Sequence, residues 1–266
     1  NIINNVVDNS PIIHETNSYK YVTITNNTFN AVSGTSNSRC IYVKVSASGY
    51  LTFSNNTFKN CLRGGFLAKI EMHYEVAEYT LDSFCFISNR QCDQQISTYQ
   101  SSPPILIEKN NNQQIRLIYK NCLFQDNSND ARGGGGMHYK NLVSKANYKL
   151  TFTSCRFIGN TASSSGGALF LEIDKDVTID GCTFIDNKSS GGSGAIHIKI
   201  PVKSTILNTN VVIKGSKFKE NTNQGNEKCI SFENMDFTPL SITESIFTDC
   251  TASDYIVDIT SVVKDI

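Results

Sequence analysis

The stretches Leu150-Thr-Phe-Thr-Ser-Cys-Arg-Phe157 and Val177-Thr-Ile-Asp-Gly-Cys-Thr-Phe184 decide the fold. In each stretch apolar and polar residues alternate up to a phenylalanine, which is typical of a half-buried β-strand. The pattern recurs along the chain and ends on eight anchor phenylalanines: Phe29, Phe58, Phe86, Phe124, Phe157, Phe184, Phe218 and Phe247. Successive anchors lie 29, 28, 38, 33, 27, 34 and 29 residues apart. A period this variable indicates strands joined by loops of changing length.

A turn follows each anchor, and five of these turns share an asparagine three residues after the phenylalanine. These turn asparagines are Asn89, Asn127, Asn160, Asn187 and Asn221. Asparagine tolerates the left-handed backbone region, so we expect the five residues to form a tight corner repeated in every coil. A glycine-rich stretch then leads into a second alternating strand, as in Gly166-Gly-Ala-Leu-Phe-Leu-Glu-Ile173.

Two strands and the short anchor segment give each repeat three faces. We therefore predict an all-β fold, a right-handed parallel β-helix, which is a three-sided β-solenoid of about eight coils of roughly 30 residues each. We expect the whole of 1–266 to form one such segment, as part of a longer protein, with a loop insertion at 90–104. Stacked coils lie ~4.8 Å apart, so the anchors should form an internal ladder.

Composition narrows the choice of partner and compartment. Lys plus Arg and Asp plus Glu number 24 each, so no net charge attracts nucleic acid or an anionic membrane. No apolar run is long enough for membrane insertion by this segment. Nine cysteines and the sequons at Asn26, Asn55 and Asn187 favour an extracellular or cell-surface glycoprotein. The alternative is that an Asn-rich and Thr-rich chain contains sequons by chance.

Two short motifs alternate along the chain. Phe-x-x-Asn occurs at Phe86, Phe124, Phe157, Phe184 and Phe218, and Gly-Gly-Ala-Ile-like strands occur at Gly166 and Gly194 and more loosely at Gly64 and Gly134. This alternation resembles the polymorphic outer-membrane proteins of chlamydiae and similar repeat proteins on some protist surfaces. The resemblance implies a surface-exposed β-helix that acts in adhesion, with a protein or glycan as its partner. The anchors Phe29, Phe58 and Phe247 lack the asparagine.

The outward position of the glycine-rich strand carries a candidate binding stripe. Its members are Tyr42, His138, Phe170 and His197, and residues of alternating charge such as Glu172 and Lys199 run beside it. We expect the stripe to contact a protein or glycan through its aromatic faces; the alternative is that a flanking loop such as 90–104 covers it. The two histidines lie two coils apart, roughly 10 Å, too far to share a metal. We expect no catalytic residue, metal or cofactor.

An alternative function, cleavage of polysaccharides, is suggested by the acidic residues that follow the anchors by two positions. Asp126, Asp186 and Asp249, with Glu220 in the same column, offer paired carboxylates such as a glycoside hydrolase or polysaccharide lyase uses. No basic residue recurs beside them, so we favour a turn-capping role.

The cysteines fall into recurring positions. Cys122, Cys155 and Cys182 each precede an anchor by two residues, so they either stack as buried thiols or oxidise as one neighbouring pair. Cys40 and Cys229 begin equivalent strands, and Cys61 and Cys250 end equivalent turns; we expect packing roles for these four. No charged or helical cap is evident at either end, which is consistent with head-to-tail self-association into a fibre.

Overall fold

The computed structural model describes residues 2–3, 6–8, 13–30, 41–61, 66–70, 77–91, 105–107, 114–130, 133–140, 147–173, 175–200, 209–224, 228–234, 239–250 and 257–260. Over these ranges the chain is all-β and contains no helix. Accordingly, no helix in the described part is long and apolar enough to cross a membrane.

The strands are short and follow the alternating segments of the sequence. In chain order they are β1 Ile2–Ile3, β2 Val6–Asp8, β3 Ile13–Thr25, β4 Thr28–Asn30, β5 Ile41–Ser54, β6 Thr57–Lys59, β7 Phe66–Ile70, β8 Ala77–Asp82, β9 Cys85–Ile87, β10 Arg90–Gln91, β11 Ile105–Ile107, β12 Gln114–Lys120, β13 Leu123–Gln125, β14 Ser128–Asn129, β15 Met137–Lys140, β16 Asn147–Thr153, β17 Arg156–Ile158, β18 Thr161–Ala162, β19 Leu169–Glu172, β20 Asp176–Asp180, β21 Thr183–Ile185, β22 Lys188–Ser189, β23 Ile196–Lys199, β24 Val211–Lys214, β25 Lys217–Lys219, β26 Thr222–Asn223, β27 Ile230–Glu233, β28 Leu240–Thr243, β29 Ile246–Thr248 and β30 Val257–Thr260.

These strands stack into four sheets, and every described pairing is parallel. The long-strand sheet runs β1-β3-β5-β8-β12-β16-β20-β24-β28, with β7 and β11 attached through β5. The anchor sheet runs β2-β4-β6-β9-β13-β17-β21-β25-β29, the corner sheet β10-β14-β18-β22-β26, and the glycine-strand sheet β15-β19-β23-β27-β30. A coil is one repeat, from its long strand through its anchor to its glycine-rich strand. Stacked parallel coils of this kind make the chain a β-solenoid.

The eight anchor phenylalanines form one column inside the anchor sheet. Each is the Cα partner of the anchor in the next coil, from Phe29 to Phe247. Their ring centroids lie 4.7 to 5.6 Å apart, and the ring planes are within 15° of parallel. Stacking adds ~0.5–1.5 kcal/mol per pair to the burial of each ring. The ladder therefore holds consecutive coils in one register.

The remaining core comes from the inward residues of two other sheets. Leu150 and Phe152 of the long-strand sheet are buried, as are Leu169 and Leu171 of the glycine-strand sheet. Their polar neighbours alternate outward, because successive side chains of a strand point to opposite faces. These inward residues pack with the anchor column in one hydrophobic core.

The turn asparagines do not adopt the left-handed conformation, so that part of the sequence prediction is wrong. The residue before each one has a positive φ instead: Ser88 52°, Asp126 52°, Gly159 64°, Asp186 52° and Glu220 56°. This frees each asparagine side chain to point inward, where all five are buried. In each corner, one residue therefore takes the left-handed conformation and the asparagine after it places its side chain in the interior.

The buried asparagines form a hydrogen-bonded ladder. In Asn160, Nδ2 donates to the carbonyl of Phe124 in the preceding coil at 2.9 Å and to Oδ1 of Asn187 in the next coil at 2.9 Å. Its own Oδ1 accepts from the backbone N and from Nδ2 of Asn127. Each coil contributes one such link, so the polar groups of the corner are satisfied away from water.

The predicted insertion at 90–104 needs a correction at its start. Arg90 and Gln91 form β10 and pair with Ser128 and Asn129 of β14. They belong to the regular corner sheet, because the corner continues for two residues after Asn89. Residues 92–104 lie outside the described residues.

Candidate functional site

Three members of the predicted stripe lie in one column of the glycine-strand sheet. His138, Phe170 and His197 are successive Cα partners, and Ser231 continues the column. The His138 imidazole stacks on the Phe170 ring with centroids 4.7 Å apart, and His197 meets the same ring edge-on at 4.9 Å. Three rings are thus in contact across consecutive coils.

Tyr42, the fourth predicted member, lies in the long-strand sheet. Its Cα partners are His14 of β3 and Leu67 of β7. Its side chain lies outside the described residues. The structure does not place Tyr42 in the sheet that carries the other three residues.

The column is largely covered. His138 has no exposed surface, His197 is 8% exposed, and Phe170 is half-buried. A Cβ built on Gly133 would lie 2.6 Å from Cδ1 of Phe170, so the backbone of Gly133 rests against the ring. The expectation of an open aromatic surface is therefore wrong for both histidines. Phe170 is the member of the column that keeps a partly exposed ring.

Charged side chains flank the column with alternating sign, as the sequence indicates. Glu172, Lys199 and Glu233 are successive Cα partners. Nε2 of His138 lies 2.9 Å from Oε1 of Glu172, and Nζ of Lys199 donates to Oε1 of Glu233 at 2.6 Å. The partly exposed pair of Lys199 and Glu233 contributes ~0–1 kcal/mol. Both contacts join side chains of neighbouring coils.

His197 contacts two polar side chains of the next coil. Its Nδ1 lies 2.6 Å from Oγ of Ser231, and its Nε2 lies 3.5 Å from Oε2 of Glu233. Burial lowers the pKa of His197 below its ordinary value of 6.5; nearby Glu233 and Glu172 oppose that shift, whereas Lys199 adds to it. The imidazole therefore stays neutral over a wider pH range than an exposed histidine does.

A serine, a histidine and a carboxylate in contact are also the groups that a hydrolase uses for nucleophilic attack. Ser231, however, is 3% exposed and so offers little surface to a polymeric substrate. The arrangement instead lets buried polar groups pair across two coils. Within the described ranges, no cluster of three His, Cys, Asp or Glu side chains could hold a metal ion.

The repeat and this column are the features by which related proteins would be recognised. No family model, curated protein or solved structure matches the chain. The resemblance to chlamydial surface proteins thus gains no support from these comparisons and stays a prediction drawn from the repeat. The chain's own residues carry the functional interpretation.

The acidic residues that follow the anchors occupy the left-handed corner. Asp186 and Glu220 stand in successive coils, where ion pairs join Asp186 to Lys188 at 3.0 Å and Glu220 to Lys219 at 3.2 Å. Single lysines therefore lie beside these two carboxylates, but they do not form a recurring basic column. The lysines come from different positions of the repeat, which is why the alignment missed them.

The three sequons differ sharply in accessibility. Asn26 and Asn55 are exposed at equivalent corners with positive φ, and Nδ2 of Asn55 donates to Oδ1 of Asn26 at 3.1 Å. Asn187 is fully buried, and its Nδ2 donates to the carbonyl of Phe157 and to Oδ1 of Asn221. An oligosaccharide cannot occupy that nitrogen in the folded chain. The prediction of a glycan at Asn187 is therefore wrong for the folded protein.

The described cysteines are either disulfide-bonded or free thiols. Cys229 and Cys250 form a disulfide with Cα atoms 5.9 Å apart, and Cys61 is also disulfide-bonded. The prediction of packing roles therefore missed the disulfide bonds of these three cysteines. Cys122, Cys155 and Cys182 are buried and reduced. Contact with the two neighbouring thiols and burial raise the pKa of Cys155 far above its usual range, so this thiol is unreactive.

Proposed function

We propose that the chain is an extracellular structural or adhesive segment, folded as a right-handed, three-sided β-helix of about eight coils. The observation that carries the proposal is the disulfide between Cys229 and Cys250, together with the disulfide-bonded state of Cys61. Disulfides persist in secreted and surface proteins and are rare in the reducing cytosol. Exposed sequons at Asn26 and Asn55 agree with that location.

The uninterrupted anchor column supports a role as a stiff spacer. From Phe29 to Phe247 the anchors pair coil by coil without a shift of register. At ~4.8 Å per coil this column spans roughly 35 Å. Such a rod can present its loops at a fixed distance, and head-to-tail association of copies would extend it.

The flank of the glycine-strand sheet supports contact with a protein or glycan at a cell surface. Phe170 offers a partly exposed ring, and Lys199 and Glu233 supply partly exposed groups of both signs in the coils that follow it. Aromatic faces pack against the apolar face of sugar rings, while charged groups hydrogen-bond to hydroxyls or to a protein partner. Neither contact requires a deep cleft.

A mass measurement tests the location. Protein from its native source is analysed intact, with and without glycosidase and reductant. We expect a mass increase on reduction that corresponds to disulfides, and a mass loss on deglycosylation. Nine free thiols and unmodified Asn26 and Asn55 would refute the extracellular assignment.

A binding measurement tests the contact surface. The secreted chain is applied to a glycan array and to intact cells of the source organism. We expect Phe170→Ala to reduce retention at least several-fold, whereas Ile158→Ala, a half-buried residue of the anchor sheet, leaves it unchanged. Equal retention of the two variants would remove this face from the proposal.

The corner carboxylates favour a second candidate, a carbohydrate-active hydrolase or lyase. Asp186 and Glu220 lie in successive coils with Lys188 and Lys219 beside them. A separation of ~5 Å suits two carboxylates that flank a glycosidic bond. Release of reducing sugar or unsaturated product from plant or bacterial polysaccharides, lost in Asp186→Asn, would favour this candidate over the structural one.

A further inference from the structure

One column of small residues begins the glycine-rich strands. The backbone N of Gly136 donates to the carbonyl of Ala168, that of Ala168 to Ala195, and that of Ala195 to Cys229. Cys229 therefore occupies the small-residue position of its coil. Ala168, Ala195 and Cys229 are all fully buried.

A second column contains the turn asparagines, and a cysteine stands at each end of it. Cys61 follows its anchor by three residues, as the asparagines do, and its backbone N donates to Oδ1 of Asn89 at 2.8 Å. Cys250 follows Phe247 by the same three residues. Cysteine thus replaces asparagine in the coil before Asn89 and in the coil after Asn221.

The two columns touch between consecutive coils. A Cβ built on Gly136 would lie 3.4 Å from Cγ of Asn160, which belongs to the next coil. The disulfide repeats this relationship, because Cys229 belongs to the coil of Phe218 and Cys250 to the coil of Phe247. A small residue with an asparagine, or two cysteines, therefore fill the same junction.

A count of the cysteines leaves two candidates for the disulfide partner of Cys61. Of the nine cysteines, Cys229 and Cys250 are bonded to each other, and Cys85, Cys122, Cys155 and Cys182 are free thiols. Cys40 and Cys92 remain, and both lie outside the described residues. Cys40 stands 21 residues before Cys61, the separation that joins Cys229 to Cys250. Cys40 directly precedes Ile41, the first residue of β5, as Cys229 directly precedes Ile230, the first residue of β27, whereas Cys92 stands 31 residues after Cys61.

We propose that Cys61 is bonded to Cys40, so that a disulfide joins two consecutive coils at each end of the asparagine ladder. Each bond forms when two thiols lose two protons and two electrons to a disulfide oxidant such as oxidised glutathione, which is reduced to two thiols. The cross-links fix the coils at which the ladder stops. The pairing holds whether or not the surface is adhesive.

Peptide mapping of the whole chain tests the pairing. The protein is secreted from eukaryotic cells, its free thiols are alkylated, and it is digested with trypsin without reduction. Cleavage after Arg39, Lys44, Lys59 and Arg63 places Cys40 in peptide 40–44 and Cys61 in peptide 60–63. We expect these two peptides to be joined. Peptide 60–63 joined to peptide 91–109, which contains Cys92, or recovered in alkylated form, would overturn the pairing.

Two variants separate the pairing from a failure to fold. Cys92→Ser should leave the link between peptides 40–44 and 60–63 intact. In Cys40→Ser, Cys61 should become alkylated while the Cys229–Cys250 bond still forms, which shows that the rest of the chain has folded. Persistence of a disulfide at Cys61 in Cys40→Ser would refute the proposal. If protein from the native source contains no disulfide, the extracellular location is refuted. The pairing of Cys61 with Cys40 would then be judged only on the oxidised, secreted chain.

Discussion

Asn160 and Asn187 are joined twice: the backbone N and Nδ2 of Asn160 both donate to Oδ1 of Asn187 in the next coil, at 3.1 and 2.9 Å. Both side chains are fully buried, so water cannot reach their polar groups. These hydrogen bonds provide the partners that water provides in the unfolded chain. Removal of one asparagine thus leaves polar groups of its neighbours unsatisfied in the interior.

Asn160→Ala should lower the free energy of unfolding by about 2–4 kcal/mol, because it orphans a carbonyl and two donors as well as opening a small cavity. Urea unfolding followed by circular dichroism measures the change. Asn210→Ala, at an exposed position, is the matched control and should change stability by less than about 0.5 kcal/mol. Equal effects of the two substitutions would show that the ladder contributes nothing specific.

Gly167→Ala and Gly191→Ala should have opposite consequences. A Cβ at Gly167 would lie 2.2 Å from the carbonyl oxygen of Gly194, whereas a Cβ at Gly191 would meet nothing within 4 Å. We expect Gly167→Ala to abolish soluble expression or to lower the melting temperature by 10 °C or more, on the order of 3 kcal/mol. Gly191→Ala should be neutral or slightly stabilising. Comparable melting temperatures for the two variants would contradict the close packing of the coils at Gly167.

Folded protein secreted from eukaryotic cells should carry N-glycan at Asn26, Asn55 or both, but not at Asn187. Peptide-N-glycosidase treatment in ¹⁸O-water, followed by peptide mapping, reports each site as a heavy aspartate. Thr28→Ala with Thr57→Ala removes the two exposed sequons and should eliminate the label. Heavy aspartate at position 187 in monomeric, folded protein would contradict the burial of that side chain.

Stability should fall as pH drops below about 6.5 through the titration of His197. The folded-state pKa lies below the ordinary value of 6.5, so the unfolded chain takes up the proton first and is favoured as pH falls. The contribution is complete above pH 6.5 and is lost between that value and the lower folded pKa. His197→Gln should therefore show a smaller loss of urea midpoint between pH 7.5 and 5.5 than the parent chain does. An unchanged pH dependence would assign the titration to another group.

The sequence predicts the strands and the anchor column well because both depend on alternation within a few residues. Leu150, Phe152 and Phe157 carry that signal locally, and their partners repeat it. The role of Asn160 was not predictable in this way, since its hydrogen-bond partners lie in neighbouring coils and the residue before it, Gly159, takes the left-handed backbone conformation. The Cys229–Cys250 disulfide was missed for the same reason, because its two columns meet only between coils.

The stripe shows a further limit of reasoning from one strand. Alternation predicts that His138 and Phe170 face away from the anchor core, but it does not reveal that the backbone of Gly133 packs against the Phe170 ring. Loop paths of this kind depend on contacts between segments that the repeat does not encode.

The asparagine ladder also gives the solenoid a direction. From Asn89 to Asn187, each side-chain nitrogen donates to the asparagine oxygen of the later coil as well as to a backbone carbonyl of the earlier coil, so the links between asparagines all run in one sense. Hydrogen-bonded amides in such a chain polarise one another, so that each link strengthens the next. The ladder therefore has two chemically different ends, because it begins at the backbone N–H of Cys61 and finishes at the side-chain oxygen of Asn221.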